Sequence, residues 1–401
     1  MSEKWRQTFC NRWRFKRSAR LPSQRPIWIH AVSVGEILAA VILVKKMATN
    51  NANRPMVLSA STLTGYQMAK KLAGSIVASV VFFPYDLTWS VRKALRGVRP
   101  LVFVLVESDV WPNFLHEAKR LRVPLILVNG RISPRSFRGY KKISFFMKPV
   151  FSKFSAVCAQ TEVDAERLVA IGARKDRVAV TGNLKFDYEA EVLSDREIIE
   201  LRRSMGVAAG ARVLLAGSTH AGEEKTLVDS FRALKSRFSD LVLVVVPRDP
   251  GRARNVQKTF SRGGFPASMK TELDETDTPR PSDVIVVDTM GELRRLYAMA
   301  DIVFVGKSLV NLGGQNPLEP AACRKPILFG PHMFNFALVA RMLVEQGGAI
   351  EVANERQLVK QVEMLLRDAK RRETAGAKAY QVLCKNQGAV EKTLDIVQRF
   401  L

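Results

Sequence analysis

Carboxylates follow two apolar runs in the first half of the chain, in the segments HAVSVGE and ESDVWPN. Glu36 ends the first segment and opens an amphipathic stretch, while Glu107 and Asp109 come directly after the apolar run 101–106. A carboxylate at a strand end can act as a general base when a substrate hydroxyl lies within hydrogen-bond reach. The alternative for Glu36 is structural, a first-turn carboxylate that complements the helix dipole.

The pair Glu107 and Asp109 also has the chemistry of metal ligands. The segment lacks the further Asp or His partners that a hard-cation site needs. A strongly perturbed carboxylate or a hydrogen-bond anchor is an equal alternative to a metal ligand, and the pair alone does not decide between them.

Small polar residues and arginines follow the apolar run 124–128, in the segment NGRISPRS. Arginine can bind a carboxylate or a phosphate through two parallel hydrogen bonds, so this segment suits an anion. Glycine at position 35 is expected to allow a tight turn from strand to helix. Besides the carboxylates, the expected substrate contacts of the first half are Ser33, Gly35, Asn129, Arg131 and Ser133.

The second half contains four clusters of small, polar or charged residues after apolar runs or before amphipathic stretches. Glycines let the backbone approach a ligand, a helix N-terminus attracts an anion, and a Glu at such a site often binds ribose hydroxyls. Together the clusters predict a nucleotide pocket in this half. Its expected residues are Ser218, Thr219 and His220; Pro247 and Arg248; Met290, Gly291 and Glu292; and Asn316, Pro317, Leu318 and Glu319.

Short apolar runs that alternate with amphipathic stretches must position these residues. Buried apolar strands that alternate with helices are typical of parallel sheets covered on both faces, which is an α/β fold. Ten strands are too many for one comfortable open sheet, so we expect two sheets. The predicted strands are 26–34, 56–59, 101–106, 124–128, 156–159, 212–216, 240–246, 283–287, 301–305 and 326–328.

The chain length of 401 residues predicts two domains. A capping box of Ser194 and Glu197 begins a helix that Gly206 ends, and it follows an acidic run at 187–192. We place the first domain at residues 1–187 and the second at 188–401, with the last helix a candidate to cross back to the first. Because ligands bind at the carboxyl ends of strands in open α/β sheets, a cleft between the domains is the expected site.

Composition excludes several classes of protein. A 47% hydrophobic and 25% charged chain is neither disordered nor collagen-like, and it has no apolar run long enough to span a bilayer. Its 4 cysteines form no CxxC pair, which favours a reducing cytoplasm over a disulfide scaffold. The first twenty residues are basic and lack the apolar centre of a signal peptide.

The formal net charge of +25 predicts a polyanionic partner. Between Ala118 and Thr161 there is no acidic residue, and aromatic residues interleave with the later basic ones. A similar basic and aromatic stretch covers residues 4–17. We interpret these stretches as a surface that docks on an anionic membrane, with nucleic-acid binding as the rival interpretation. The basic residues of the first stretch are Lys119, Arg120, Arg122, Arg131, Arg135, Arg138, Lys141, Lys142, Lys148 and Lys153.

Nine segments of residues 28–336 occur in the order found in the bacterial 3-deoxy-D-manno-octulosonic acid (Kdo) transferases, which the chain therefore resembles. The segments are HAVSVGE, FPYDL, ESDVWPN, NGRIS, TGNLKFD, GSTHAGEE, DTMGEL, NPLEP and GPHMFNF. The resemblance implies the GT-B glycosyltransferase fold, with two Rossmann-like domains that face a cleft. It also implies transfer of Kdo from CMP-Kdo to the lipid A precursor (lipid IVA) at the cytoplasmic face of the inner membrane, a step of lipopolysaccharide core synthesis.

The resemblance also assigns roles to individual residues. Glu36 matches the family's catalytic base, and Glu107 and Lys185 match positions that stabilise the transition state. The expected reaction inverts the anomeric configuration and needs no metal or cofactor. The positions that match CMP-binding segments of the family are Pro247, Arg248, Met290–Glu292 and Asn316–Glu319.

Several positions depart from the family pattern. Gln315 and Asp249 stand where members usually have His, Lys307 where they have Gly, and Asp109 where Glu is more common. Gln315 cannot become cationic. The usual N-terminal anchor helix is not recognisable, so we expect either a shortened chain or a protein that binds the inner membrane peripherally.

Two alternatives to a Kdo transferase stay open at this point. Another sugar-nucleotide enzyme of the same fold, such as an epimerase, would need no lipid surface, and the basic aromatic stretch argues against it. A non-enzymatic polyanion-binding protein would bind RNA with a steep salt dependence. Because no known nucleic-acid module is present, we expect no nucleic-acid partner.

Overall fold

The computed structural model describes residues 21–50, 54–107, 109–188, 193–276 and 281–401. The described chain divides into two compact units. The first comprises the residues up to Asp187 together with Asn386–Leu401, and the second comprises Tyr188–Lys385. The second unit therefore ends at Lys385 rather than at the end of the chain, and the last helix belongs to the first. The basic stretch at 4–17 and most of the acidic run after Asp187 lie outside the described residues.

The first unit is built on a sheet of parallel strands in the order β3-β2-β1-β4-β5-β6-β7, seven within the described residues. All the pairs are parallel, so the carboxyl ends of the strands share one edge. The strands are Ile27–Ala31 (β1), Met56–Ala60 (β2), Ser79–Phe82 (β3), Val102–Val106 (β4), Leu125–Gly130 (β5), Ala156–Ala159 (β6) and Val178–Val180 (β7).

Helices connect these strands and cover the sheet. They are Val34–Asn50 (α1), Leu63–Ala73 (α2), Thr88–Val98 (α3), Pro112–Arg120 (α4), Pro134–Lys142 (α5), Ser144–Phe151 (α6) and Glu162–Ala170 (α7). A short 3-10 turn, Leu184–Phe186, follows β7.

Both faces of this sheet are buried, which is why its strands are continuously apolar. Trp28 packs with Phe103 and Phe114 in the core on one face. The next residue, Ile29, points to the other face, where the core includes α1 and the C-terminal helix.

The second unit repeats this plan with the strand order β10-β11-β9-β8-β12-β13-β14, again seven in the described part. Every strand pair is parallel. The strands are Arg212–Thr219 (β8), Leu241–Pro247 (β9), Ala267–Met269 (β10), Val284–Val286 (β11), Ile302–Val305 (β12), Ile327–Phe329 (β13) and Ala349–Glu351 (β14).

The helices after β7 begin with Asp195–Ser204 (α8). Ser194 and Glu197 form the predicted capping box at its start, and Gly206 has a φ of 66° just after its end. The others are Glu224–Lys235 (α9), Ala253–Arg262 (α10), Lys270–Asp274 (α11), Leu293–Met299 (α12), Leu318–Ala322 (α13), Ala337–Glu345 (α14), Glu355–Arg367 (α15), Ala369–Lys385 (α16) and Ala389–Gln398 (α17).

The fold class predicted from the sequence, two α/β units with parallel sheets, is confirmed. Each of the ten predicted strands is present, although the first ends at Ala31 rather than at position 34 because α1 begins at Val34. The prediction missed β3, β7, β10 and β14. Within the described residues, no helix combines the length and the apolar character that crossing a bilayer requires.

Candidate active site

Glu36 lies in the first turn of α1, directly beyond the carboxyl end of β1. One carboxylate oxygen accepts a hydrogen bond from the Val32 amide (2.6 Å) and the other accepts one from the Ser33 hydroxyl (2.8 Å). The residue is 7% exposed. Burial raises the pKa of Glu36 to about 7; the Val32 and Ser33 hydrogen bonds oppose this rise, and the charges of Glu107 and Asp109 add to it. The carboxylate is thus poised to exchange a proton near neutral pH.

A pocket of about 190 Å³ opens beside Glu36 in the first unit. It brings together the segments after β1, β4 and β5, as the shared edge of a parallel sheet requires. Desolvation and repulsion by Glu107 raise the pKa of Asp109. The residues that line the pocket are Glu36, Glu107, Asp109, Arg131, Ile132, Ser133, Ser136 and Tyr140.

Glu107 follows β4 and forms an ion pair with Lys185, whose Nζ lies 3.3 Å from its Oε1. Both side chains are mostly buried, with exposed fractions of 24% and 18%. Glu107 has a φ of 61°, a left-handed conformation that a residue other than glycine rarely adopts. Its amide donates to the Val128 carbonyl oxygen (2.9 Å), which fixes this conformation. Such backbone strain concentrates at functional sites.

The turn that carries Lys185 is fixed by hydrogen bonds from two directions. The Leu184 amide donates to Asn129 Oδ1 (3.0 Å) on one side. On the other, Asp187 accepts from the amide of Gly388 (2.5 Å) and from that of Val390, at the start of α17. The Lys185 ammonium is therefore positioned by the sheet and by the last helix together.

Asn129 was expected to contact substrate, and the structure corrects this expectation. Its side chain is completely buried, and its Oδ1 accepts a hydrogen bond from the Leu184 amide. Asn129 also has a φ of 54°. It is a positioning residue for the turn of Lys185, because a buried amide is retained where it satisfies backbone groups.

Gly35 also differs from its prediction. It lies inside the first turn of α1 without a positive φ, so the turn does not require glycine. A Cβ built at this position meets no atom within 4 Å. The contact of Gly35 with substrate stays a prediction. The Ser33 hydroxyl donates to Glu36, and its contact with substrate stays a prediction.

Arg131 and Ser133 line the pocket, and their contact with substrate stays a prediction. Ser133 caps the N-terminus of α5, where its hydroxyl oxygen accepts from the Ser136 amide (3.1 Å). Tyr140 also lines the pocket and was not predicted to do so, because an aromatic residue within a basic helix gives no distinctive signal. Desolvation, and to a smaller extent the charge of Asp109, raises the pKa of Tyr140.

In the second unit, the predicted nucleotide segments lie along one edge of the sheet. The neighbouring strands β11, β9, β8 and β12 end next to Met290–Glu292, Arg248, His220 and Lys307 respectively. The Arg248 amide donates to the Thr219 carbonyl oxygen (3.0 Å), which joins two of these ends. A Cβ at Gly306 would lie 2.6 Å from the Ser218 carbonyl oxygen, so glycine is required for the close approach of β8 and β12.

The sequence analysis missed Glu223 as the organising residue of this edge. Its carboxylate is completely buried and accepts four backbone hydrogen bonds. The donors are the amides of His220 (2.9 Å), Lys307 (2.7 Å), Ser308 (3.0 Å) and Leu309 (3.1 Å). The segment GSTHAGEE contained the only signal, an acidic residue before a helix, which is also the pattern of an ordinary first turn.

Ser218 and Thr219 are buried, and Ser218 has a φ of 56°. Their side chains therefore contribute to the strand end rather than to an exposed contact. His220 is partly buried, with its Nδ1 3.1 Å from the Ser218 carbonyl oxygen. Burial, Lys307 and Arg252 lower the pKa of His220, and the Ser218 carbonyl and Glu223 oppose them.

The segment NPLEP forms the start of α13. Asn316 Oδ1 accepts from the Leu318 amide (3.1 Å), and the Asn316 amide nitrogen donates to Glu319 (3.4 Å). Burial raises the pKa of Glu319, against the attraction of Arg294 and Arg248. Pro317 and Leu318 are buried.

The remaining predicted segments are more exposed. Met290 is 59% exposed, and Gly291 has a φ of 96° with open space at its Cβ position. Glu292 forms a salt bridge with Lys270 (3.1 Å) and accepts from the Thr289 hydroxyl. Pro247 is buried at the end of β9, and Arg248 beyond it is exposed. Among the described residues, no three or more His, Cys, Asp or Glu side chains are grouped to hold a metal ion.

Two family models match the chain. The model of 3-deoxy-D-manno-octulosonic-acid transferase (kdotransferase) matches residues 4–188, and that of glycosyl transferases group 1 matches residues 222–382. The chain is 34% identical to a 3-deoxy-D-manno-octulosonic acid transferase of Haemophilus influenzae over 403 residues, which cover 100% of this chain and 93% of the relative. It is 31% identical to the enzyme of the same name from Bordetella pertussis, covering 95% and 88%.

Solved structures of low sequence identity share the fold. A structure of HepE from Anabaena in complex with UDP has a TM-score of 0.59 at 15% identity and covers 94% of this chain and 99% of its own. A UDP-N-acetylglucosamine 2-epimerase has a TM-score of 0.55 at 11% identity and covers 93% and 95%. These similarities concern the fold alone, and they fit the predicted GT-B architecture. The sequence relatives decide the family: the chain belongs to the 3-deoxy-D-manno-octulosonic acid transferases and is a glycosyltransferase.

Proposed function

We propose that the protein transfers Kdo from CMP-Kdo to the lipid A precursor in lipopolysaccharide synthesis, with Glu36 as the general base. The observation that carries the proposal is the buried carboxylate of Glu36, which lies beside an open pocket and has a pKa raised to about 7. A base with a pKa near the working pH combines a sufficient ionised fraction with a strong tendency to accept a proton. The family's activity supplies the reaction for which such a base is needed.

In the proposed reaction, Glu36 takes the proton of an acceptor hydroxyl while that oxygen bonds to the anomeric carbon of Kdo. The bond between this carbon and the phosphate oxygen of CMP breaks, and CMP leaves with the electron pair. Attack from the face opposite the phosphate inverts the anomeric configuration. The Glu107–Lys185 pair is proposed to stabilise the positive charge that develops on the sugar and to orient the acceptor.

The donor is proposed to bind at the strand ends of the second unit. Arg248 is exposed there, and Glu319 and Asn316 lie at the start of α13, where hydroxyl and amide groups of a nucleoside could be bound. Fixed cations can neutralise the charge that gathers on the leaving phosphate. We therefore propose that the transfer needs no metal ion.

The acceptor is proposed to reach the pocket from an anionic membrane, the cytoplasmic side of the inner membrane, to which the protein binds peripherally. Helices α5 and α6 carry the basic aromatic stretch, and no residue of α5, all of which is described, is buried. Phe145 is 80% exposed, Phe146 49% and Ile143 44%, next to Lys141 and Lys142. Exposed aromatic residues beside cations are typical of helices that lie in a lipid interface.

Incubation of the full chain with CMP-Kdo and lipid IVA, followed by mass spectrometry of the lipid, tests the proposal. We expect a mass increase of one or more Kdo units, formed equally well in EDTA. The Glu36→Gln variant should lose at least about 100-fold in rate, because general-base catalysis contributes on the order of 10²–10⁴. Its affinity for CMP should be unchanged, since Glu36 and the proposed donor residues lie in different units.

Three results would contradict parts of this proposal. An unmodified lipid would refute the transfer, a full rate in Glu36→Gln would refute the base, and complete loss of transfer in EDTA would refute the metal-independent mechanism.

A further inference from the structure

Lys307 lies two residues beyond the end of β12 and has a φ of 64°. This left-handed conformation favours glycine, because the Cβ of any other residue crowds the backbone. Lysine cannot offset the strain with a local hydrogen bond, as the short side chains of Asn and Asp do. The chain therefore has a long cationic side chain at a position where it costs stability.

The loop does not require that side chain. The Lys307 amide donates to Glu223 Oε2 (2.7 Å), and its carbonyl oxygen accepts from the Gly314 amide (2.9 Å). Both bonds are made by backbone atoms, and glycine could make them in the same conformation with less strain. The structural needs of the loop leave the ammonium group of Lys307 unexplained.

The side chain lies among other cations at the carboxyl edge of the sheet. The ends of β12, β8 and β9 lie side by side, because Val305 pairs with Gly217 and Thr219 pairs with Pro247. Lys307, His220 and Arg248 therefore follow adjacent strands. Burial and the charge of Arg248 lower the pKa of Lys307, and Lys307 in turn lowers the pKa of His220. These mutual effects place the charges within range of each other.

Carboxylates balance this group only in part, since Glu319 attracts Arg248 and Glu223 attracts His220, whereas burial and Arg248 lower the pKa of Lys307. Within the described part of the chain, neither Lys307 nor Arg248 forms a salt bridge. The nearby Glu223 is occupied by four backbone amides, as described above. The repulsion between Arg248 and Lys307 is unfavourable in the free protein, and a bound anion would relieve it.

We propose that Lys307 binds an oxyanion of the sugar-nucleotide donor together with Arg248. This inference rests on the proposed function, since that function supplies the donor. The oxyanion is either the phosphate of the nucleotide or the carboxylate of the sugar, and both have the charge and the acceptor oxygens that an ammonium group binds.

Calorimetric titration of the full chain with CMP, CMP-Kdo and cytidine tests the inference in Lys307→Gly and Lys307→Met. Loss of one charge-assisted contact should weaken binding of the relevant ligand by about tenfold. Cytidine has no oxyanion, so its affinity should not change. Weaker binding of CMP identifies the phosphate as the group bound, and weaker binding of CMP-Kdo alone identifies the carboxylate.

Thermal unfolding separates this role from a structural one. Lys307→Gly should raise the melting temperature of the second unit by about 2–6 °C, because it removes backbone strain, and Lys307→Met should not. The matched control is Arg99→Gly, which removes an exposed cation with a φ of 48° from the first unit. It should stabilise the protein in the same way without changing the affinity for CMP or CMP-Kdo.

Nuclear magnetic resonance of His220 provides a readout of the charge itself, in a chain with only 4 histidines. Its pKa should rise in both Lys307 variants, because one of the cations that lower it is gone. Unchanged affinities for CMP and CMP-Kdo in both variants would overturn the inference while the donor site stands. If the unsubstituted protein bound neither CMP nor CMP-Kdo, the proposed donor site would fail and this inference with it.

Discussion

Burial and hydrogen bonding act in opposite directions on the carboxylate of Glu36. Two donors, the Val32 amide and the Ser33 hydroxyl, favour the ionised form, but removal from water favours the protonated form more strongly. The surroundings of Glu36 therefore fit both roles considered for it from the sequence, a first-turn carboxylate and a general base. Glu36 does bond to the backbone at the start of its helix, as a first-turn carboxylate would, and it also has the proton affinity of a base.

The raised pKa of Glu36 predicts how stability depends on pH. The folded pKa is about 7 against an ordinary value of 4.5, so between these values the folded state holds a proton that the unfolded state releases. The free energy of unfolding should therefore fall by roughly 2–3 kcal/mol from about pH 5 to about pH 8 through this group alone. Chemical denaturation at both pH values, for the protein and for Glu36→Gln, measures the contribution.

Glu36→Gln keeps the acceptor for the Val32 amide and cannot titrate. Between about pH 5 and about pH 8 its free energy of unfolding should therefore fall by roughly 2–3 kcal/mol less than that of the unsubstituted protein. Equal declines in the two proteins would show that Glu36 has an ordinary pKa. The transfer rate should likewise fall as the pH drops below about 7, because the base becomes protonated.

The sequence indicates which residues are candidates for the site better than it indicates where the fold places their side chains. Glu107 and Lys185 were both selected, and the fold brings them 3.3 Å apart although they are 78 positions apart in the chain. Asn129 was selected for the wrong reason, since only the structure shows that its side chain is enclosed. Glu223 was missed because a buried acceptor of backbone amides has no sequence signature of its own.

At the scale of elements, the last helix completes the first unit. Hydrophobic residues of α17 such as Leu394 and Val397 are buried in the same core as Ile37 and Val41 of α1. Asp187 joins the N-terminus of this helix to the turn that carries Lys185. Burial raises the pKa of Asp187, and the amides of Val390 and Gly388 oppose that rise.

Asp187→Ala should therefore affect both stability and transfer. Loss of the two amide contacts at a helix N-terminus should destabilise the protein by about 1–2 kcal/mol. The turn of Lys185 loses one of its fixed points, so the maximal rate should fall severalfold while the KM for CMP-Kdo stays unchanged. Denaturant titration and steady-state kinetics provide the two measurements.

Ser194→Ala is the matched control, because it removes a comparable N-terminal cap from α8 in the second unit. Ser194→Ala should lower the free energy of unfolding by about as much as Asp187→Ala does, within the roughly 0.5–2 kcal/mol typical of N-caps, without slowing transfer. If both variants reduced the rate equally, lower stability alone would explain the effect and Asp187 would have no positioning role.

The strands that the sequence analysis missed are all at the edges of the sheets. β3, β7, β10 and β14 are the outermost strands, three or four residues long, and each contains partly or fully exposed residues. An edge strand needs no continuous apolar run, because one side of it faces no partner strand and water reaches it. Central strands, which are buried on both faces, could be recognised from apolar runs alone.

At the scale of the whole molecule, the excess of positive charge is divided between two uses in our proposals. Arg248 and Lys307 serve the donor in the second unit. Residues on α5 and α6, in the first, serve the anionic membrane together with the exposed Phe145. Neither use is visible in the net charge, which by itself predicts only a polyanionic partner.

Replacement of Arg138, Lys141 and Lys142 by Gln should weaken binding to vesicles that contain anionic lipid. At about 1 kcal/mol for each charge near a membrane surface, partitioning should fall by roughly 100-fold at low salt. Sedimentation with vesicles at two salt concentrations measures this effect, which should diminish as salt rises.

The control replaces Arg254, Lys258 and Arg262 by Gln, three exposed cations of α10 in the second unit. It lowers the net charge by the same amount and should change partitioning little. If the two triple variants lost binding equally, attraction would come from the total charge rather than from α5.

The return of the chain to its first unit has a consequence for synthesis in the cell. The second unit, Tyr188–Lys385, is one continuous stretch, whereas the first cannot be completed until Asn386–Leu401 have left the ribosome. Although domains generally fold in the order of their translation, here the unit made first is the one finished last. Until that segment emerges, the surface of α1 that packs against the helix Ala389–Gln398 is uncovered, so the nascent protein exposes an apolar face.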